Sequence, residues 1–157
     1  MNRVLGIDPG VTGAWCLRTD DATLIGDLEV VAVGAAKQIV PSGLRSMLEL
    51  TKPDIVVLED NHVMPSNGSK ANFSMGLSMG VIIGVVGALS YPLVRLRPQV
   101  WKAHIGLSGV KGTDAQKKAA SRNRALELSP NNPDLNLVKH HNRADAFLIA
   151  EAYRRLA

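Results

Sequence analysis

The sequence predicts a single α/β domain over residues 1–157, with one mixed sheet and helices on both of its faces. Its 157 residues are 46% hydrophobic and 20% charged, which suits one domain of ordinary size and leaves no room for two. Strand-like runs come first along the chain, and strands then alternate with helical patterns. Three successive strands predict an antiparallel meander, and the later alternation predicts parallel pairing.

The first third of the chain is dominated by strand patterns. Residues 4–7 are an apolar run that stops at the turn signal Asp8-Pro9-Gly10. Residues 14–18 and 24–33 predict the second and third strands of the meander. Residues 38–51 carry apolar side chains at helical spacing, and a proline follows them, so we expect a helix there.

The rest of the chain alternates between strands and helices. Residues 54–58 are a β-branched run, which is typical of a strand buried on both faces and parallel to the first strand. A short strand is predicted over 93–96. The predicted helices cover 73–89, 98–104, 113–127 and 142–156, with a polar loop over 61–72 and a glycine-rich loop over 106–113.

Charge is distributed unevenly along the chain. Residues 1–90 carry 6 basic and 9 acidic side chains, whereas residues 91–157 carry 12 and 5. A basic face beside a few carboxylates suits a metal-dependent enzyme that acts on a polyphosphate, although a net charge of +4 is also ordinary for a soluble domain. Cys16 is the single cysteine, so we expect no disulfide and a reducing, cytoplasmic setting.

A long uncharged stretch raises the alternative of a membrane span. Residues 71–94 have no charged side chain, and Gly76, Gly80 and Gly84 have the spacing of close-packed membrane helices. Serines and Pro92 lower the hydropathy, and no second span accompanies this one. We therefore expect no membrane, and a buried helix whose glycine stripe meets either the sheet or the same helix of a second subunit.

Three acidic residues lie at the ends of predicted elements. Asp8 and Glu59 follow two strands that we expect to be parallel neighbours, so their side chains would leave adjacent carboxyl ends of the sheet. Asp145 lies near the start of the last helix, where it would also suit a capping role beside Asn142. Clustered carboxylates favour a cation, and oxygen ligands select Mg²⁺ or Mn²⁺. Two such ions can cut a phosphodiester.

Basic residues are concentrated before the last of these acids. Several recur at helical spacing over 113–127, where they would share one face and follow a phosphate track, although a solvated helix face is the alternative. The candidate DNA contacts are Lys70, Lys102, Lys111, Lys117, Lys118, Arg122 and Arg124. The histidines lack the Cys/His companions of a zinc site.

Five segments, taken in order, resemble the RuvC-type Holliday junction resolvases. They are LGIDPGVTG at 5–13, VVLED at 56–60, MGLSMG at 75–80, VWK at 100–102 and RADAFLIA at 143–150. Their order and spread over nearly the whole chain make the resemblance fairly specific. The tryptophan–lysine pair and the histidine-rich segment before the last acid are more similar to the phage-encoded branch.

The resemblance implies an RNase H-like fold, a homodimer, divalent metal and paired nicks in four-way DNA junctions. It implies that Asp8, Glu59 and Asp145 are catalytic metal ligands. Asn142 stands at the position of the family's fourth acid, so the fourth ligand is left open between its amide oxygen and a neighbouring histidine. His141 is the favoured helper, as a ligand or a proton carrier, and His140 adjoins it. His62 replaces an aromatic residue of bacterial members and is a further candidate DNA contact.

We therefore expect a dimeric endonuclease for branched DNA that uses two Mg²⁺ or Mn²⁺ ions, with helix 73–89 as the dimer interface. Its setting would be the cytoplasm of a bacterial cell or phage-infected host. One alternative is a non-catalytic protein that binds branched DNA, because Asn142 replaces an acid. A second is an ATPase domain of the actin or Hsp70 type, whose first strand also leads into Asp-x-Gly-x-Thr, although those proteins use two such domains.

Overall fold

The structure, a computed structural model, describes residues 3–62 and 65–157. In these ranges the strands are β1 (Val4–Asp8), β2 (Ala14–Arg18), β3 (Thr23–Asp27), β4 (Val30–Val33), β5 (Ala36–Ile39), β6 (Ile55–Glu59) and β7 (Leu93–Leu96). The helices are α1 (Pro41–Thr51), α2 (Gly68–Ala88), α3 (Pro98–His104), α4 (Asp114–Leu128) and α5 (His141–Leu156). Short 3₁₀ turns cover Pro65–Asn67, Pro133–Leu135 and Val138–His140.

Five strands form one mixed sheet in the order β3-β2-β1-β6-β7. The first three strands are antiparallel neighbours, and β6 and β7 continue the sheet in parallel from β1. The predicted meander and the predicted parallel pairing of β1 with β6 are both confirmed. Because Ile7 lies opposite Leu58, the next residue of each strand, Asp8 and Glu59, leaves the sheet at the same edge.

Helices cover both faces of the sheet, as predicted. Alternate residues of a strand face opposite sides, so Leu5 and Ile7 pack with α1 and α2, whereas Val4 packs with α3, α4 and α5. Gly6 faces α5 as well, and a Cβ atom built on it would lie 2.4 Å from the Ala146 carbonyl oxygen. Any side chain at this position would therefore push α5, which carries Asp145, away from β1.

The predicted third strand is present over Thr23–Asp27, but its predicted extension to residue 33 is wrong. The chain leaves the sheet at Leu28, whose side chain is buried and whose N–H donates to the Gly13 carbonyl at 3.0 Å. Residues beyond it pair instead as a separate hairpin of β4 with β5. Gly34, at φ 60°, begins the tight turn between those strands, a conformation that glycine adopts without a steric penalty. The hairpin also includes residues 38 and 39, the first two of the helix predicted over 38–51, and α1 begins at Pro41.

Two helix starts also differ from prediction. The helix predicted over 73–89 begins at Gly68, so Lys70 lies in the first turn of α2 rather than in a loop. The last helix begins at His141, with His140 in the capping position. Asn142 is therefore not an N-cap, and the capping role predicted for Asp145 is wrong because Asp145 lies beyond the first turn.

The glycine stripe of α2 does not face the sheet. The buried face of this helix consists of Ser78, Met79, Ile82 and Val86. A Cβ atom built on each stripe glycine would meet no atom of residues 3–62 or 65–157 within 4 Å. The sheet lies in these ranges, so the alternative in which the stripe contacts the sheet is excluded. By length and composition, the segment Pro65–Ala88 is also able to cross a membrane, with a mean hydropathy of 1.6 over its most apolar 18 residues. A single such helix is weak evidence for a membrane protein.

Candidate metal centre

Asp8 and Glu59 meet at the carboxyl ends of β1 and β6. Their carboxyl groups are within hydrogen-bonding distance of each other, so one of them must carry a proton when no cation is present. Burial, followed by the charges of Glu59 and Asp145 and the hydrogen bond to Glu59, raises the pKa of Asp8 well above its ordinary value. Lys102 opposes this rise. The predicted convergence of these two acids is thus present in the structure.

Glu59 is held by two neutral donors. The indole Nε1 of Trp101 donates to Glu59 Oε1 at 3.0 Å, and the amide Nδ2 of Asn61 donates to Glu59 Oε2 at 2.8 Å. Both Trp101 and Glu59 are buried, at 0% and 8% exposure. The orientation of this carboxylate is therefore fixed by the protein itself.

Asp145 faces the other two acids from α5. Burial and then the charge of Glu59 raise its pKa to about 7, while a hydrogen bond with Ser121 and the charges of Lys102 and Lys118 act in the opposite direction. Its Oδ1 atom is buried and has no hydrogen-bond partner among the described residues. A buried carboxylate oxygen of this kind is unfavourable unless another group, such as a cation, occupies the site.

The chemistry of these side chains fits a hard divalent cation. Three carboxylates supply oxygen ligands, and burial followed by the charges of neighbouring acids raises the pKa of Asp8 and of Asp145. One oxygen of Asp145 lacks a hydrogen-bond partner among the described residues. In their present positions, however, no three His, Cys, Asp or Glu side chains of the described segments stand close enough together to enclose an ion. The acids form a repelling cluster rather than a closed cage.

Lys102, on α3, lies beside the acids and borders an open cavity. Its charge lowers the pKa of both Asp8 and Asp145, and its Nζ atom lies 5.1 Å from the centre of the Trp101 ring. A cavity of about 310 Å³ next to it is lined by Lys102, Lys117, Ser121, Gln99 and Ser108, among others. Because Ser121 also bonds Asp145, this cavity adjoins the acid cluster.

The candidate helpers near the start of α5 have other contacts. Asn142 Nδ2 donates to the Thr12 carbonyl at 2.5 Å, which ties α5 to the loop after β1. Burial and then the charge of Lys118 lower the pKa of His141, while the hydrogen bond that its ring donates to the Val138 backbone carbonyl acts in the opposite direction. The buried His140 accepts a hydrogen bond from the Leu137 N–H through its Nδ1 atom. Metal or proton-transfer roles for these residues remain predictions.

The structure separates the basic residues of the predicted phosphate track into different places. Lys102 and Lys117 line the same cavity, and the charge of Lys118 lowers the pKa of Asp145. Lys70 and Lys111 are exposed but lie outside the lining of that cavity.

The remaining candidate DNA contacts already have partners in the protein. Arg122 donates to the Asn136 carbonyl at 3.1 Å, and Arg124 donates to the Ile105 carbonyl at 2.8 Å. His62 is exposed, with its Nε2 atom 4.0 Å from Asp60 Oδ2. DNA contacts by all of these residues stay predictions.

Three residues that support the acids were not identified from the sequence. Asn61 lies two positions after Glu59, a separation at which the side-chain amide of a loop residue can bond to the preceding carboxylate. The sequence spacing therefore indicated this contact. Ser121 is a single serine on a basic helix and gave none. Arg143 forms a two-pronged ion pair with Asp27 at 2.7 and 2.8 Å. This pair fixes the first turns of α5 to the end of β3.

The order of strands and the helices on both faces define an RNase H-like fold, with the acids at the ends of its strands. The sequence matches no protein-family model and no curated protein. Solved structures nevertheless match over nearly the whole chain, which confirms at the level of the fold the resemblance seen in the sequence motifs.

The matching structures are Holliday junction resolvases. RuvC of T. thermophilus in complex with Holliday junction substrate matches with a TM-score of 0.62 and 12% identity, over 98% of this chain and 96% of that chain. A second T. thermophilus RuvC structure gives 0.56 and 15%, over 98% and 95%. The yeast mitochondrial Holliday junction resolvase Ydc2 gives 0.61 and 16%, over 98% and 79%.

Proposed function

We propose that this chain is a metal-dependent endonuclease that resolves four-way DNA junctions by paired nicks. The observation that carries the proposal is the meeting of Asp8 and Glu59 at adjacent strand ends, faced by Asp145, one oxygen of which has no hydrogen-bond partner in the described part of the chain. Its fold is shared with resolvases, one of which was solved on a Holliday junction substrate. Each acid stands in a sequence segment that resembles the resolvase motifs.

In this proposal Asp8, Glu59 and Asp145 hold two Mg²⁺ or Mn²⁺ ions. Bound ions would supply a nucleophilic hydroxide near neutral pH and stabilise charge on the leaving oxygen. The protein's own contribution is to bring the three carboxylates together, two from the ends of β1 and β6 and one from α5. Lys102 stands beside the acids, where its ammonium group would attract a backbone phosphate. His141 and Asn142 are the candidate additional ligands.

The dimer partner in this proposal is a second copy of the chain, packed through α2. The glycine stripe of α2 leaves open space around each glycine, and Phe73 next to it is 73% exposed. Exposed apolar surface of this extent on a helix is costly in water, and small residues allow two helices to approach closely. A two-fold dimer would present two acid clusters to two strands of one junction. We propose the cytoplasm of a bacterial cell or phage-infected host as its setting.

A second candidate function is binding of branched DNA without cleavage. It is favoured by the amide of Asn142, which is engaged by Thr12, and by the absence of a closed three-ligand cage among the described side chains. In that case the basic cavity bordered by Lys102 and Lys117 would remain the DNA contact. The two candidates differ in one assay.

That assay compares cleavage and binding of a synthetic four-way junction in Mg²⁺, Mn²⁺, Ca²⁺ or EDTA. Wild-type protein is expected to cut the junction in Mg²⁺ or Mn²⁺ and only to bind it in EDTA. Asp8→Asn is expected to bind but not cut, whereas Asp21→Asn, a matched change at an exposed turn, should cut as wild type does. Binding without cutting in every metal would favour the second candidate. Equal cutting of linear duplex would refute junction selectivity.

A further inference from the structure

Trp101 is the feature of the site for which the proposed reaction gives no role. Its side chain is fully buried in the core between the sheet and α3, α4 and α5. The indole N–H is a donor only, and a buried donor needs a partner. Here the partner is an oxygen of Glu59, at 3.0 Å. Apolar packing accounts for the rings of this side chain but not for its N–H group, which packs no better than a carbon would.

The backbone brings Trp101 to this place by a short route. Leu96 ends β7 opposite Glu59, and the Asp60 N–H continues the ladder to the Leu96 carbonyl at 3.0 Å. Pro98 starts α3 directly after β7, which returns the first turn of this helix towards the end of β6. The packing of the core and the pairing of β6 with β7 therefore fix the position of the indole N–H group, which is not exposed to solvent.

Asn61 holds the second oxygen of the same carboxylate at 2.8 Å. Both donors are neutral, so they fix the orientation of Glu59 without cancelling its negative charge. This differs from Lys102, whose charge competes directly with a cation. Each carboxylate oxygen has two lone pairs, so one donor on each oxygen leaves acceptor capacity for an ion.

We propose that Trp101 and Asn61 are positioning residues that hold Glu59 in the orientation needed to bind the divalent cation. The inference rests on the proposed metal-dependent function, but concerns metal affinity rather than the choice of DNA. Outer-shell donors of this kind typically contribute about 10- to 100-fold in metal affinity or activity. The two residues act through Glu59 and touch neither the metal nor the DNA.

The test is Mn²⁺ binding to DNA-free protein, measured by isothermal titration calorimetry. Trp101→Phe keeps an aromatic ring but removes the N–H, and is expected to weaken Mn²⁺ binding by about 10- to 100-fold. Asn61→Ala, at a half-buried loop position, is expected to do the same through the other oxygen. Trp15→Phe is the matched control, because Trp15 packs on the opposite face of the sheet and should retain wild-type affinity. Circular dichroism melts establish that each variant is folded.

A spectroscopic readout separates positioning from general stability. In a Trp15→Phe background, Trp101 is the sole tryptophan of the sequence, and its emission is expected to change saturably when MgCl₂ is added. Asp8→Asn in the same background should abolish this change. Folded Trp101→Phe protein with wild-type Mn²⁺ affinity, or emission that ignores Mg²⁺, would overturn the inference. Weakened Mn²⁺ binding in a protein that cuts no junction would uphold it and refute the proposed function instead.

Discussion

Replacing Asp145 with asparagine tests the electrostatic description of the acid cluster. The pKa of Asp145 is about 7 in the folded protein, against an ordinary value of 3.8. Because the folded-state pKa is the higher one, the folded protein takes up a proton that the unfolded chain has already lost. Stability is therefore expected to fall as pH rises between these two values, and an ionised Asp145 is a net cost above them.

The size of that cost follows from the two pKa values. At about 1.4 kcal/mol per pH unit, ionisation of Asp145 lowers the free energy of unfolding by about 4 kcal/mol at pH 8 and by less than about 1 kcal/mol at pH 4. Asparagine stays neutral at both pH values, and Ser121 can still donate to or accept from its amide. Without metal, Asp145→Asn should thus be the more stable protein at pH 8, by up to about 4 kcal/mol.

Urea unfolding in EDTA at pH 4, 6 and 8 measures this difference directly. The expected result is a gain in stability for Asp145→Asn that grows with pH, together with loss of Mn²⁺ binding. Asp21→Asn controls for the removal of one negative charge from an exposed position. A gain that is the same at all three pH values, or a variant less stable than wild type at pH 8, would refute the reasoning.

Three further changes test other parts of the structure. Gly80→Leu places a leucine in open space and raises helix propensity by about 1 kcal/mol, so the protomer should stay folded while the proposed dimer dissociates into monomers in sedimentation analysis. Ser46→Leu on the exposed face of α1 is the control, and a dimer unchanged by Gly80→Leu would exclude α2 from the interface. Lys102→Met should weaken junction binding and reduce the slope of log affinity against log salt by about 1, measured by fluorescence anisotropy, and an unchanged slope would contradict a phosphate contact. Arg143→Ala removes the ion pair that anchors α5 to β3, so the free energy of unfolding, measured with urea, should fall by about 1–2 kcal/mol. Mn²⁺ binding, measured by calorimetry, should weaken as well. A wild-type free energy of unfolding together with wild-type Mn²⁺ affinity would show that this ion pair does not position Asp145.

The sequence predicted those parts of the fold that depend on local pattern. The meander, the parallel pairing of β1 with β6 and the boundaries of β7 and α3 follow from apolar runs and from the turn and proline signals beside them. The third strand could not be bounded in the same way, because residues 24–33 are continuously strand-like. The strand ends before Leu28, whose N–H donates to the carbonyl of Gly13 in another part of the chain. A tertiary contact of this kind leaves no pattern in the local sequence.

The candidate site was predictable in part, for a related reason. Asp8 and Glu59 are brought together by the register of two neighbouring strands, which a sequence pattern can indicate. Asp145 depends on the packing of α5 against β1, and this packing is close only because residue 6 is glycine. The donors to these acids come from a loop, from α3 and from α4, and their side-chain directions depend on the assembled fold. Asn142 illustrates the limit, because the sequence predicted it at the N-cap of the last helix, whereas the helix begins one residue earlier, at His141.

The arrangement around the acids explains why two kinds of polar partner are needed at one site. Trp101 and Asn61 are neutral donors that orient Glu59 without placing a positive charge beside it. Lys102 and Lys118 instead relieve repulsion at Asp145 while no cation is present. If all the partners of the acids were cationic, they would neutralise the acids and compete with the metal ion. If all of them were neutral donors, the repulsion between the acids would make the metal-free protein less stable. We infer that the combination keeps the metal-free protein folded while leaving a net preference for a divalent ion, so that metal binding and stability should rise together.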